Sequence, residues 1–158
     1  LSLVGSEMCI RDSPQGGSIQ VVDDYAHHPN EIKATLQAAR QAFQGQRLTL
    51  VFQPHRYTRT RDHFDDFIEA LRLADLIILT EVYAAGEAPI AAADGKALAR
   101  SLRTHFHLEP IYQSTLEKLP ETILEVSRDQ DVVLTMGAGS ITKVAAWLKD
   151  LAEQGQHT

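Results

Sequence analysis

The side chains best suited to chemistry crowd into one stretch, Pro54-His55-Arg56-Tyr57-Thr58-Arg59-Thr60-Arg61-Asp62. A guanidinium stays charged at any working pH and presents its donors as a planar fork. Arginines are therefore suited to gripping a carboxylate or phosphate through paired hydrogen bonds. The stretch follows an apolar run, Leu48-Thr49-Leu50-Val51-Phe52, that reads as a strand. It precedes Phe64, Phe67, Ile68 and Leu71, which recur as one helix face with Asp65, Asp66 and Glu69 turned outward. The spacing predicts a basic loop between strand and helix, where the field of a helix N-terminus adds to that of the arginines. At least one arginine is expected to hold an anion. The competing reading is a salt-bridged surface, with Arg59 and Arg61 paired to Asp62, Asp65 or Asp66. It fits Arg61 best, because Arg61 lies nearest the helix acids.

A second loaded segment is Asp23-Asp24-Tyr25-Ala26-His27-His28-Pro29-Asn30. One reading is a metal site, but adjacent histidines in an extended segment point to opposite sides and rarely share an ion. Another is substrate positioning, with Asp24 accepting from ribose hydroxyls and Tyr25 and His27 facing a ligand. The plainest is a helix N-terminal cap flanked by solvent-exposed histidines. Gly137-Ala138-Gly139-Ser140 has the form of a small phosphate cradle, though a glycine turn between strand and helix is usually tight geometry alone. Asp94-Gly95-Lys96 lacks the glycine-rich loop and the Ser/Thr of a P-loop, and no P-loop occurs in the sequence.

These segments need a scaffold, and the apolar pattern supplies one. Strand candidates at Ile19-Gln20-Val21-Val22, residues 48–52, Leu76-Ile77-Ile78-Leu79, residues 110–112 and residues 131–136 alternate with helical patterns. The first helix carries Ile32, Leu36, Ala39 and Phe43, with Pro29 in its first turn and Gly45 beyond its end. A helix over residues 116–128 should start or kink at Pro120. The predicted fold class is α/β and Rossmann-like, a mostly parallel sheet with helices on both faces. Ligands of such sheets bind outside the carboxyl ends of the strands. The segments 23–30, 53–61, 80–88 and 136–140 should therefore share one edge.

At 158 residues, 44% hydrophobic and a formal charge of −6, the chain suits one domain with a sizeable core. The acidic balance argues against a nucleic-acid partner, and no apolar run is long enough for a membrane span. Cys9 is the single cysteine, which excludes an internal disulfide and fits a reducing cytoplasm. Residues 1–16 share no periodicity with the rest of the chain. They resemble translated sequencing-adapter read-through fused to a truncated gene, the alternative being a disordered native leader. They are expected to stand outside the fold, and Cys9 to carry no function. The domain is expected over 17–152, with a polar tail at 153–158.

Taken together, Asp23-Asp24-Tyr25-Ala26-His27-His28-Pro29, residues 51–62, Val82-Tyr83-Ala84-Ala85-Gly86-Glu87 and Met136-Gly137-Ala138-Gly139-Ser140-Ile141 resemble the C-terminal domain of the Mur ligase family, from about Gly17 to about Leu151. The arginine stretch and Tyr-Ala-Ala-Gly-Glu resemble the branch that adds L-alanine to UDP-N-acetylmuramate in peptidoglycan synthesis. The alternatives are the ligase that recycles murein tripeptide and a non-catalytic module binding a nucleotide or metabolite. The resemblance implies an ATP-dependent acid–amino-acid ligase of three domains, of which this chain is the third. Such a chain packs on a central ATPase domain that holds the P-loop and most of the Mg contacts. It is expected to be inactive alone. Arg56 and Arg59 would clamp the alanine carboxylate, with His55, Tyr25 and His27 placing the amine. Asp24 would touch the ATP ribose, His27 or His55 would act as base, and no metal ligand is expected in this chain.

Overall fold

A computed structural model of the chain describes residues 6–11 and 16–155. Strands β2 (Ile19–Asp24), β3 (Leu48–Phe52), β4 (Leu76–Leu79), β5 (Ile111–Tyr112) and β6 (Val132–Met136) run parallel, and β1 (Ser6–Ile10) pairs antiparallel with β2. The strand order is β1-β2-β6-β3-β4-β5. Helices α1 (Pro29–Ala42), α2 (Tyr57–Asp62), α3 (Phe64–Leu71), α4 (Gly95–Phe106), α5 (Leu119–Val126) and α6 (Val144–Gly155) complete the layers. The predicted α/β class holds.

Alternation along each strand sends neighbouring side chains to opposite faces, so one sheet serves two cores. Leu48, Leu50 and Phe52 of β3, with Val132, Leu134 and Met136 of β6, pack under α1, α3 and α4. Val51, Ile78 and Val133 face the other way, onto Leu119 and Ile123 of α5 and Val144 and Leu148 of α6. Burial on both faces explains why β3 and β6 read as unbroken apolar runs, with every residue of each buried. Pro29 starts α1, and Pro120 stands in the first turn of α5, after a short 3-10 turn at Leu116–Lys118. Proline fits there because first-turn amides have no carbonyl partner within the helix.

Two expectations need correction. Residues 6–10 are not outside the fold, because β1 pairs with β2 from Ser6–Asp23 to Ile10–Ile19 and Ile10 is buried. The rest of the leader, 1–5 and 12–15, lies outside the described residues. The basic stretch is not all loop, because Tyr57–Asp62 forms α2, so Arg59 and Arg61 are helical. The first residues of the polar tail are helical, because α6 runs to Gly155.

The edge of the sheet remote from the loaded loops is held by ion pairs. Asp131, 2% exposed, accepts from Arg47 Nε at 3.1 Å and from the Arg128 amide at 2.8 Å, while Arg47 Nη2 also donates to the Val126 carbonyl at 2.7 Å. Asp75 accepts from both terminal nitrogens of Arg40, at 2.8 and 2.9 Å, and from the Leu48 amide at 2.8 Å. In the first pair Asp131 is buried and Arg47 is 23% exposed, whereas the second is more than a third exposed on each side. Removing one partner of a buried pair strands the other charge. Arg47→Ala should therefore cost about 3–5 kcal/mol in denaturant unfolding. Arg40→Ala should cost about 1 kcal/mol or less, because solvent screens that pair.

Burial pushes the Asp75 carboxyl up, but the Arg40 guanidinium and the Leu48 amide outweigh it and hold it below the ordinary 3.8. A depressed carboxylate stabilises the fold above its unfolded pKa, and that contribution is lost as pH falls through the folded pKa. The stability gap between the parent chain and Asp75→Asn should thus be widest at neutral pH. It should close in acid, below about pH 4, when unfolding midpoints are compared.

Candidate functional site

The four loaded segments meet along the carboxyl edge of the strands, as predicted. The Gly137 amide donates to the Asp24 carbonyl at 3.3 Å, and the Gln53 amide to the Met136 carbonyl at 3.1 Å. The Tyr83 amide donates to the Pro54 carbonyl and the Arg56 amide to the Tyr83 carbonyl, both at 2.8 Å. The loops after β2, β6, β3 and β4 are thereby laced side by side.

Gln53 organises the glycine turn. Its Nε2 donates to Ser140 Oγ at 2.9 Å, and its Oε1 accepts from the Ile141 amide at 3.0 Å. Gly137 stands at φ 148°, and a Cβ there would lie 3.0 Å from the Gln53 carbonyl oxygen. A Cβ at Gly139 would meet the Tyr83 ring at 2.6 Å. Both glycines permit close backbone approach, and the Ile141 amide is already committed to Gln53. The plain reading of this turn, tight geometry, accounts for what is seen.

The arginines separate by environment. Arg61 Nε donates to Asp62 Oδ1 at 3.0 Å on the exposed surface, the pairing its position suggested. Arg56 is exposed, and its backbone is at φ 69°, in the left-handed region. Arg59 is half-buried, and its Nη1 is buried without a hydrogen-bond partner. The Nδ1 of His55 is in the same condition. Unpaired buried polar atoms are rare, and although Thr49 Oγ1 of β3 is another, two in one cluster make this edge the candidate place for polar groups from outside the chain.

Aromatic and imidazole rings wall this place. His55 stacks on Tyr83, with centroids 5.4 Å apart and planes 21° apart. The His27 ring lies 6.0 Å from that of His55, and Tyr25 meets His27 edge-on at 5.8 Å. Tyr25 is 63% exposed, a large surface for a domain or substrate to cover. Burial, then the charges of Arg59, His27 and Arg56, push the His55 imidazole below its ordinary value, and Glu87 opposes them. His55 is accordingly neutral at neutral pH and able to accept a proton. His27 Nδ1 lies 3.1 Å from the Tyr25 carbonyl oxygen.

Tyr25, His27 and His55 thus form one row of rings, and Arg56 and Arg59 supply the charges that act on His55. Asp24 has a different setting. It is 8% exposed, and its Oδ1 accepts from the Ala26 amide at 2.8 Å, closing the turn that leads to His27. Burial raises its carboxyl above the ordinary value despite that bond. Among the described residues, His, Cys, Asp and Glu side chains form no group of three or more able to hold an ion. Tyr83, Gln53 and Glu87 were missed as site residues. A polar Gln ending an apolar strand was the available signal for Gln53.

The family model for the glutamate ligase domain of Mur ligase matches residues 9–139. UDP-N-acetylmuramate–L-alanine ligase of Methylobacillus flagellatus is 56% identical over 142 residues, covering 90% of this chain and 30% of that enzyme. The enzyme of the same name from Neisseria meningitidis serogroup A is 58% identical over 141 residues, 89% of this chain and 30% of its own length. The crystal structure of UDP-N-acetylmuramate–alanine ligase from Thermotoga maritima superposes with a TM-score of 0.68 at 31% identity, over 87% of this chain and 27% of that one. The chain spans about 30% of the length of the curated relatives it matches.

The His55 environment yields a direct check. Imidazole resonances followed by NMR against pH should show His55 titrating below the ordinary 6.5. Arg59→Gln removes a repelling charge and should move that titration upward. An unchanged midpoint would separate the two side chains.

Proposed function

This chain belongs to the Mur ligase family, as its glutamate ligase domain, and from that premise we propose that it is the amino-acid-binding part of an enzyme joining L-alanine to UDP-N-acetylmuramate with ATP. The observation that carries the reading is the buried, unpartnered Nη1 of Arg59 together with the unpartnered Nδ1 of His55, an imidazole on which the Arg59 charge acts. L-Alanine is a small zwitterion, and a cationic group next to a neutral proton acceptor complements its two ends. Identity of 56–58% to enzymes named for this reaction supports alanine addition over tripeptide recycling. Nothing in the site favours a non-catalytic module.

In the proposed reaction, ATP phosphorylates the muramyl carboxylate to an acyl phosphate and leaves as ADP. The alanine nitrogen attacks the acyl carbon, the C–N bond forms, and inorganic phosphate departs with the cleaved C–O bond. The nucleotide's phosphates and magnesium fall to the central domain of the family, and the residues of this chain hold the nucleophile. Arg56 and Arg59 take the alanine carboxylate, which fixes the amine relative to the acyl carbon. Orientation of this kind is worth many orders of magnitude in rate. The ammonium must lose a proton before it can attack. His55, whose imidazole feels the Arg59 charge and whose Nδ1 is unpaired, is the first candidate to accept it, with His27 next in the row. Asp24 shapes the turn that presents Tyr25 and His27, and any contact with the ATP ribose falls to its other carboxylate oxygen. Among the described residues no helix is long and apolar enough to cross a membrane. The proposed use of ATP supports a cytoplasmic site for the reaction.

Two outcomes test the reading. The purified chain should form no product from ATP, L-alanine and UDP-N-acetylmuramate, because the acyl phosphate is made elsewhere in the enzyme. In the complete enzyme, Arg59→Ala should raise KM for alanine roughly tenfold to a hundredfold, the weight of a charged hydrogen bond, and leave KM for ATP nearly unchanged. Equal effects on both constants would assign Arg59 to the nucleotide.

A further inference from the structure

The loop after β4 returns to the arginine helix by a tight turn. Ala85 and Gly86 both have positive φ, 51° and 89°, and the Glu87 amide donates to the Ala84 carbonyl at 3.0 Å. Two left-handed central residues closed by an i to i+3 bond match a type I′ turn. The turn delivers Glu87 to the start of α2. There Oε1 accepts from the Thr58 amide at 3.2 Å and Oε2 from Thr58 Oγ1 at 2.6 Å, and the Tyr57 amide also donates to this carboxylate.

Those amides are the first of α2, which no carbonyl within the helix can satisfy. A helix usually meets them with the side chain of its own N-cap residue. Here that residue is Arg56, which makes no such bond, and its backbone is in a region costly for a side chain other than glycine. The strained residue is held on both sides. Its amide donates to the Tyr83 carbonyl at 2.8 Å, and its own carbonyl accepts from the Thr60 amide at 3.2 Å and Thr60 Oγ1 at 2.9 Å. The loop after β4 thus grips the arginine segment twice, through the Tyr83 backbone and through the Glu87 carboxylate.

We propose that Glu87 is the positioning residue of the arginine site, capping α2 from 29 residues away so that Arg56 and Arg59 point at the amino-acid carboxylate, and placing a negative charge near His55. The proposal rests on the amino-acid-binding reading given above. The Thr58 hydroxyl bond is the first cause holding the Glu87 carboxyl below its ordinary value, and the Arg56 charge adds to it. Glu87 is therefore ionised across the neutral range. Of the charged groups acting on His55, Arg59, His27 and Arg56 disfavour its protonation, and Glu87 favours it. One side chain thereby sets both the aim of the guanidiniums and part of the balance of charge at the imidazole.

The test has two arms. In this chain, the Glu87→Gln variant keeps an acceptor for the α2 amides but loses the charge, so His55 should titrate lower than in the parent chain by NMR. An unchanged or higher midpoint overturns the electrostatic half. In the complete ligase, Glu87→Ala should raise KM for alanine about tenfold, the scale of one charged hydrogen bond, with KM for ATP within about twofold, and Glu87→Gln should recover most of that loss. An alanine KM unchanged in Glu87→Ala overturns the positioning half. Should Glu87→Ala fail to fold, Thr58→Val removes only the hydroxyl bond, and it should raise KM for alanine a few-fold; no change overturns the proposal equally. A complete enzyme that ignores alanine even with Glu87 intact sinks the proposed function instead, and the His55 arm still reports on Glu87.

Discussion

A guanidinium nitrogen withdrawn from water without a partner costs about 1–3 kcal/mol or more, because its desolvation is not repaid by a hydrogen bond. Arg59 Nη1 is in that state, and so is His55 Nδ1 in the same cluster. The rest of the site can be understood as what holds this unfavourable arrangement in place. Arg56 accepts a left-handed backbone, Glu87 supplies the cap that α2 lacks, and Tyr83 stacks on the imidazole. In the proposed reading, a bound carboxylate would relieve the cost at Arg59 and an amine would relieve it at His55.

The two edges of the sheet treat charge in opposite ways. At the amino edge, Asp131 and Asp75 are bonded to Arg47, Arg40 and backbone amides, and their acceptors are used within the chain. At the carboxyl edge, two polar atoms are left unpaired. The first edge stabilises the fold, and the second leaves polar atoms open, as the proposed binding requires. The parallel sheet makes this division possible. All five parallel strands end on one side, so every loop that follows them opens onto the same place.

Much of this could be read from the residues. The apolar runs of β3, β4 and β6 and the helical spacing of α1 and α3 stand in the structure where periodicity put them, because burial on both faces leaves a strong pattern. The basic stretch was recognised by residue type alone. Other features left no local trace. The residues of α2 are polar or charged apart from Tyr57, and its first amides are satisfied by Glu87 from a distant loop, so no periodicity announced it. The strand β1 is short and lies at an edge, where one neighbour suffices and the alternation is weak. Asp24 was read as a ribose contact, whereas its burial and its bond to the Ala26 amide belong to the folded turn and left no local signal. Glu87 was visible as part of a motif, yet its role needs the left-handed turn at Ala85 and Gly86.

The most direct measurement is a crystal structure of the complete enzyme with L-alanine bound. A carboxylate oxygen should lie about 2.7–2.9 Å from Arg59 Nη1, as in charge-assisted bonds, with the alanine nitrogen on the His55 side. An alanine held by other residues, with Arg59 on a nucleotide phosphate or still unpaired, would contradict the assignment.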